Sequence, residues 1–247
     1  MLTYVIVVLV SLLLAFLCGS IPFALMIGRS MRGLDVREHG SGNAGSTNAI
    51  RVLGLGPGLL VFACDVLKGA LGCFIVAMAT GVAIVFASTA ATQEAILLMQ
   101  DSTEALSLDP IIGILASGQA NMLQEIPMAL SIIVAVLGHM LSPFMGFKGG
   151  KGVATALGAI AVTLPFTAVC SFAVFLVIVL VSRYVSLGSI IAVVTVPIFT
   201  AIFYQSPTYT VFTILMALVV IWAHRNNLKR LIKKEEPKFT IPKKDEA

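Results

Sequence analysis

The sequence predicts an all-α integral membrane protein of about seven transmembrane helices, some short or broken, at ~20 apolar residues per crossing. Three observations carry that prediction. Hydrophobic residues make up 58% of the 247 and charged residues 11%, with a mean hydropathy of +1.02. Soluble domains hold roughly 45–50% apolar and ~25% charged residues. The apolar residues fall in runs of membrane length, which makes residues 1–247 a single polytopic domain and excludes a large soluble one. Lys and Arg gather in short loops and in the tail, as the positive-inside rule requires of cytoplasmic segments. The net charge of +4 is thereby a topology signal, and nucleic acid is excluded as a partner.

The first span runs from about Thr3 to Gly28 and ends at Arg29, Arg32 and Arg37, which places the N-terminus outside. It is longer than a signal-peptide core, lacks a convincing cleavage site and is expected to remain as a helix. Pro57 suits the first turn of a second helix. That helix continues to about Phe86 and carries Asp65 and Lys68 three residues apart on one face. Residues 87–125 contain Glu94, Asp101, Glu104, Asp109 and Glu125 without Lys or Arg, and read as an acidic external insertion. A third span follows, from about Ile126 to Phe144.

The apolar stretch from Val153 to Val181 is divided by Pro165. If Pro165 only kinks one helix, Arg183 faces outside; if it separates two short helices, Arg183 returns to the cytoplasm. The second reading agrees with charge at every loop. With further segments at about Ser186–Tyr204 and Thr208–His224, it leaves the C-terminus and the basic tail, residues 225–247, cytoplasmic. Cys18, Cys64, Cys73 and Cys170 lie in apolar runs without CxxC spacing and read as packing residues.

Three glycine-rich or basic segments interrupt this apolar chain, and polar backbone with cations at helix ends near membrane depth usually lines a site. In GSGNAGSTN, Gly40, Gly42 and Gly45 allow amides to converge on an anion. Ser41, Asn43, Ser46, Thr47 and Asn48 add side-chain donors, and Arg51 offers a bidentate fork. The competing reading is a glycine-rich loop needed only for close helix packing. In FKGGKGVAT, Lys148 and Lys151 sit among Gly149, Gly150 and Gly152 just before a helix, where free amides and the dipole favour an anion. A Walker loop is excluded, because Gly146–Lys151 is one residue short, Gly152 replaces Ser or Thr, and a helix rather than a strand precedes it. In HRNNLKR, His224 and Asn227 share a helix face, while Lys229, Arg230, Lys233 and Lys234 form a juxtamembrane patch for anionic lipid.

GSIPFALMIGR, GSGNAGSTNAIRVLG, DVLKG, GHMLSPFMGFKGGKGVAT, SRYVSLGSI and HRNNLKR, in this order and spacing, resemble the successive signatures of the bacterial acyl-phosphate:glycerol-3-phosphate acyltransferases. The resemblance covers most of the chain. It implies a seven-helix enzyme of the bacterial inner membrane, with its site facing the cytoplasm, that acylates glycerol 3-phosphate at the 1-position from a fatty acyl phosphate. The products are lysophosphatidate and inorganic phosphate, in phospholipid biosynthesis. It assigns Ser41, Asn43 and Arg51 to the glycine-rich loop of the site, Lys148 and Lys151 to the phosphate-binding loop, and His224 with Asn227 to the C-terminal signature. It also suggests a soluble acyl-phosphate-producing enzyme as a partner beside membrane lipid. The stretch between Phe86 and Glu125 is longer than the family pattern.

An acyl phosphate is a mixed anhydride with a stable leaving group, so electrostatic stabilisation and positioning can supply much of its catalysis. Arg51, Lys148 and Lys151 are the natural clamps, and no cofactor or metal is expected. The HxxxxD arrangement of many acyl-CoA-dependent enzymes is absent: five residues after His39, His139 and His224 come Ala44, Phe144 and Lys229. The general base is left between a substrate phosphate, which the resemblance suggests, and His224. Ser41, His224 and Asn227 are the candidate catalytic side chains; Asp65 and Lys68 either border the site or form an internal salt bridge. Transport of a phosphorylated solute and a non-catalytic scaffold are the rival functions.

Overall fold

The computed structural model describes residues 2–99 and 119–240, with side chains from 2–86 and 123–240. Its regular elements are helical: α1 (Leu2–Ser20), α2 (Phe23–Arg32), α3 (Ser46–Leu53), α4 (Leu55–Met99), α5 (Gln119–Met140), α6 (Val153–Thr163), α7 (Pro165–Ser182), α8 (Val185–Tyr204), α9 (Pro207–Ala223) and α10 (Arg225–Ile232). Single turns of 3-10 helix lie at Val36–Glu38 and Pro143–Met145.

Among the described residues, five spans are long and apolar enough to cross a membrane: α1 with α2, then α4, α5, α7 and α8. The bent pair α9–α10, turning by 61°, makes a sixth, and α6 is a shorter apolar helix. All seven apolar segments of the sequence are therefore helical. Pro165 is the first residue of α7, where its missing N–H is harmless, and it separates α7 from α6.

The boundaries differ from the sequence reading in three places. The first span breaks at Ile21–Pro22, and its freed carbonyls find donors: Ser142 Oγ bonds Ser20 O at 2.6 Å, and Lys68 Nζ bonds Ile21 O at 2.8 Å. Such repair is what lets a helix break inside a bilayer. α4 extends to Met99, beyond the predicted end near Phe86. α5 begins at Gln119, so Glu125 is a helical residue, accepting from Ser206 Oγ at 3.0 Å, and not part of a loop. The backbone at Glu94 belongs to α4, whereas its side chain, and Asp101, Glu104 and Asp109, lie outside the described residues.

Close backbone approach holds the bundle together. A β-carbon at Gly158 of α6 would overlap the Val66 carbonyl of α4, and one at Gly69 would overlap Thr155 of α6. Small residues are the usual route to such contact in lipid, where apolar burial between helices gives little driving force. Ile132, Val136, Leu164, Met216 and Val220 fill the centre. Leu180 and Val181 on α7, 78% and 81% exposed, face outward, as a lipid-contacting surface requires. A second cluster of Leu25, Val36, Ala44, Ala49, Val61 and Met145 supports the first polar loop from below.

Candidate functional site

The first loop folds around one side chain. Asn48 is 1% exposed and uses its whole amide locally. Its Oδ1 accepts from Ser41 N at 2.7 Å and Ser41 Oγ at 3.1 Å, while Nδ2 donates to Val36 O at 2.7 Å and His39 O at 3.1 Å. The turn also needs Gly40 and Gly42, whose φ values of +61° and +69° are left-handed. Arg37 ties this loop to the next. It forks onto Asp35, with Nη2 at 2.8 Å from Oδ2, and donates from Nη1 to Met145 O at 3.0 Å. The hydrogen bonds from Arg37, outweighing burial, hold the Asp35 carboxyl below its ordinary value.

The second loop runs from Gly146 to Gly152 and rests on the end of α5. Gly149 N donates to Met140 O at 3.0 Å. A β-carbon at Gly149 would overlap the His139 carbonyl, and one at Gly150 would overlap the His139 ring. Both glycines are thus demanded by contact, and they bring Lys151 over the cleft. Gly152, at φ +81°, caps the N-terminus of α6.

The third segment arrives where α9 turns into α10. His224 is 2% exposed, and its Nδ1 lies 2.8 Å from Val220 O. Because a carbonyl only accepts, Nδ1 carries the proton in the neutral ring and Nε2 keeps the lone pair. Asn227 accepts from Lys151 Nζ and donates to Glu236 Oε1, the latter at 2.6 Å. Glu236 also takes Arg230 Nε at 2.7 Å. Burial lowers the Lys151 pKa to about 8; Glu236 opposes the shift, and Arg230 and Arg51 add to it.

The three segments meet around one cleft of about 410 Å³. Ser41, Asn43, Gly45, Thr47, Asn48 and Arg51 of the first, Lys148 to Gly152 of the second, and His224 and Asn227 of the third all line it. Three of the sequence candidates take other places. Gly42 does not line the cleft, because it is the turn glycine and its N–H is bonded to His39 O at 3.1 Å. Asn48 lines the cleft but spends its polar groups on the loop. Lys68 lies beneath, in a buried ion pair with Asp65 at 2.7 Å, and only Asp65 reaches the cleft.

Sequence reasoning missed His139, Ser186, Ser189, Arg230 and Glu236, which also line the cleft. His139 ends an apolar helix directly before the lysine loop, and that position was the available signal. Glu236 lies in a tail that reads as a solvated charge run, and only its return onto Asn227 and Arg230 brings it in. A smaller apolar cavity of about 60 Å³, bounded by Phe62, Leu157, Ile160, Phe172 and Val193, shares Val153, Ala154 and Ser189 with the cleft.

Comparison with known proteins places these features in a family. The family described as Glycerol-3-phosphate acyltransferase matches residues 9–99 and 102–234. A glycerol-3-phosphate acyltransferase of Thermosynechococcus vestitus is 37% identical over 227 residues, covering 92% of each chain. One of Geobacillus kaustophilus is 36% identical over 233 residues, covering 94% of this chain and 96% of its own. Among solved structures, PlsY (YgiH), an integral membrane glycerol 3-phosphate acyltransferase, in its glycerol 3-phosphate form superposes with a TM-score of 0.71 at 33% identity, covering 94% of this chain and 96% of that one.

Proposed function

This chain belongs to the glycerol-3-phosphate acyltransferase family, as an integral membrane enzyme that produces lysophosphatidic acid, and we propose that its acyl donor is a fatty acyl phosphate and its acylated position the 1-hydroxyl. The observation that carries the proposal is the convergence of three cation-bearing segments on a cleft that shares Val153, Ala154 and Ser189 of its wall with an apolar cavity. Both phosphates of this substrate pair are anions needing cationic and N–H partners, and the acyl chain needs an apolar path. One PlsY structure is of its lysophosphatidic acid form, whose ligand combines the same two demands.

Arg51, Lys148 and Lys151 clamp the phosphate groups, with Asn43, Thr47 and the amides of Gly45, Gly150 and Gly152 as hydrogen-bond donors, while the Ser41 donors are held by Asn48 and the Gly149 amide by Met140 O. Asn48 shapes the first loop. Asn227 acts through Lys151, holding its ammonium over the cleft. The acceptor hydroxyl oxygen attacks the acyl carbonyl carbon, the bond from that carbon to the phosphate oxygen breaks, and the hydroxyl proton ends on the departing phosphate. Acyl phosphate and glycerol 3-phosphate thereby balance to lysophosphatidate and inorganic phosphate. A departing phosphate, with a second pKa of about 6, is a competent proton acceptor near neutral pH. In this reading it takes the hydroxyl proton, and His224 orients the hydroxyl through Nε2.

We place the enzyme in the bacterial cytoplasmic membrane with the cleft facing the cytoplasm, where soluble glycerol 3-phosphate and a soluble acyl-phosphate-producing enzyme have access. The basic residues of the first loop, the lysine loop and the tail agree with that side. The acidic stretch of residues 87–125 then faces outside.

The test is lysophosphatidate formation by purified protein from glycerol 3-phosphate, with acyl phosphate and acyl-CoA as alternative donors. Product from acyl phosphate alone, lost in Arg51→Ala and Lys151→Ala proteins that still fold, supports donor and site together. Product from acyl-CoA overturns the donor; vesicle uptake of a phosphorylated solute without acyl transfer overturns the reading.

A further inference from the structure

The apolar cavity beside the cleft has a definite depth. Its lining falls within residues 153–160 of α6, 168–175 of α7 and 189–196 of α8, with Phe62 of α4 and Met216 of α9 completing the wall. At 1.5 Å per residue each of these helical stretches is about 10 Å long. One end is the wall shared with the cleft, where Val153 and Ala154 follow Lys151 and Gly152 directly in the chain. The deep end closes on the core: Ile160, Ala168, Val196 and Met216 are at most 5% exposed and belong to the central apolar cluster. Just beyond it the buried hydroxyls of Thr167 and Thr200, 3.5 Å apart, join α7 to α8. The outer wall is of another kind. α4 packs on α6 and α7 on α8, and between these pairs the Phe62 and Phe172 rings stack at 6.5 Å, with Phe175 a further 5.9 Å from Phe172. All three rings are part-exposed.

We propose that this slot reads only the part of the donor's acyl chain next to the carbonyl, that the rest of the chain leaves between Phe62 and Phe172 into lipid, and that Ala192 and Met216 are specificity-determining residues that favour an unbranched chain. The inference rests on the acyltransferase reading above. The occupant follows from continuity. A donor whose phosphate lies among the cleft cations has its carbonyl at the wall the two spaces share, and its chain continues on the apolar side. Glycerol 3-phosphate has no apolar part to place there. Half of a ~30 Å hydrocarbon core is about 15 Å, so a chain matched to one leaflet is longer than the slot and must leave it. The deep end is closed by packed core. The stacked rings are the wall that can part, because side chains turn on a far shorter timescale than packed helices separate. Within the slot the room is about 60 Å³, and a methyl branch there must displace close-packed neighbours. Past the rings the same branch meets fluid lipid.

Purified full-length protein in detergent micelles, with glycerol 3-phosphate as acceptor, tests this with three donors: hexadecanoyl phosphate and its 6-methyl and 14-methyl derivatives. The two branched donors are isomers and partition alike into the micelle. We expect kcat/KM for the 6-methyl donor to fall at least about tenfold below that of the straight one, the low end of what one carbon is worth in a hydrophobic pocket, and that of the 14-methyl donor to stay within about threefold. Met216→Ala, which opens the deep end, should recover the 6-methyl donor at least about fivefold relative to the straight chain. Ala192→Leu, which narrows the slot, should lower kcat/KM at least about tenfold more for hexadecanoyl phosphate than for butanoyl phosphate. Equal use of the 6-methyl and straight donors by the wild type overturns the slot without any variant. An equal penalty at both branch positions overturns the exit between the rings. Variants that lose rate alike on every donor overturn the role of Ala192 and Met216, since a purely structural effect has that signature. If one variant does not fold, the wild-type comparison and the other variant decide. Absence of turnover with every acyl phosphate overturns the donor reading, and the slot's occupant with it.

Discussion

The two glycine-rich loops of the cleft present cations by opposite means. The first is braced from within: Asn48, on the helix that follows, reaches back to Ser41, Val36 and His39 and organises its own segment. The second has no side chain of that kind and is moulded against the end of α5, where the His139 carbonyl and ring leave room only for glycine. A loop braced from within tolerates changes in its neighbours but fails with its brace. A loop moulded on another helix keeps its stability when its residues change and loses its aim instead.

The largest effects should come from the charges both loops present. Arg51→Ala and Lys151→Ala are each expected to lower kcat/KM for glycerol 3-phosphate by about 10²–10³, the usual cost of deleting one preorganised electrostatic contact. Equal effects mean that both loops serve the transition state; a tenfold or smaller loss in one assigns the burden to the other.

Gly150→Ala comes next. A β-carbon there meets the His139 ring, so the loop must shift, and a displacement of about 1 Å costs on the order of 10²-fold in rate. The thermal midpoint in detergent should change little. A large fall in midpoint with a normal rate per folded molecule would contradict the moulded-loop account.

For the first loop the expectation is reversed. Asn48→Ala leaves the buried Val36 carbonyl, and the part-buried groups at Ser41 and His39, without their partner and should destabilise the fold by ~2 kcal/mol. A denaturation midpoint that moves little, together with a lost rate, would make Asn48 a substrate contact and not a brace.

The pH dependence sharpens the role of Lys151. Its pKa, lowered to about 8 by burial, means that the ammonium is lost as pH rises through about 8 in the free enzyme. The rate constant kcat/KM should fall by about tenfold per pH unit above that value. Glu236 opposes the shift, so Glu236→Gln should move this limb to lower pH, and Lys151→Arg should remove it from the accessible range. A profile flat to pH 10 in the wild type excludes Lys151 as the titrating clamp.

The smallest effect is expected at Gly146. Its φ of +61° is strained for other residues, but open space surrounds the position of a β-carbon. Gly146→Ala should cost ~1 kcal/mol in stability and leave acceptor affinity unchanged. A changed affinity would show that the whole second loop, and not only its contact with α5, sets the position of the lysine.

Much of this protein was legible before any coordinates. Composition and apolar run length determine a polytopic helical membrane protein, because a bilayer admits little else from such a chain. Pro165 divides α6 from α7, since a proline without an N–H begins a helix at less cost than it interrupts one. The loop cations and glycines marked all three segments of the cleft by local chemistry. Helix ends were less legible, because α4 runs on through the weakly apolar stretch of residues 87–94 and α5 begins in the polar stretch of residues 119–125, and local hydropathy does not report that continuation.

Tertiary structure decided which polar residues face outward and which work inward. Asn48 and Asn43 look alike in the sequence, yet only the first is buried and consumed by its loop. Asp65 and Lys68 share a helix face, but the break at Ile21 draws the lysine away from the cleft and leaves the aspartate on it. His139 and Glu236 join the cleft from segments more than ninety residues apart. Hydropathy and residue type are local properties and can be read along a chain. The direction of a buried polar group depends on the donor or acceptor that another helix brings to it, and that exists only once the bundle is packed.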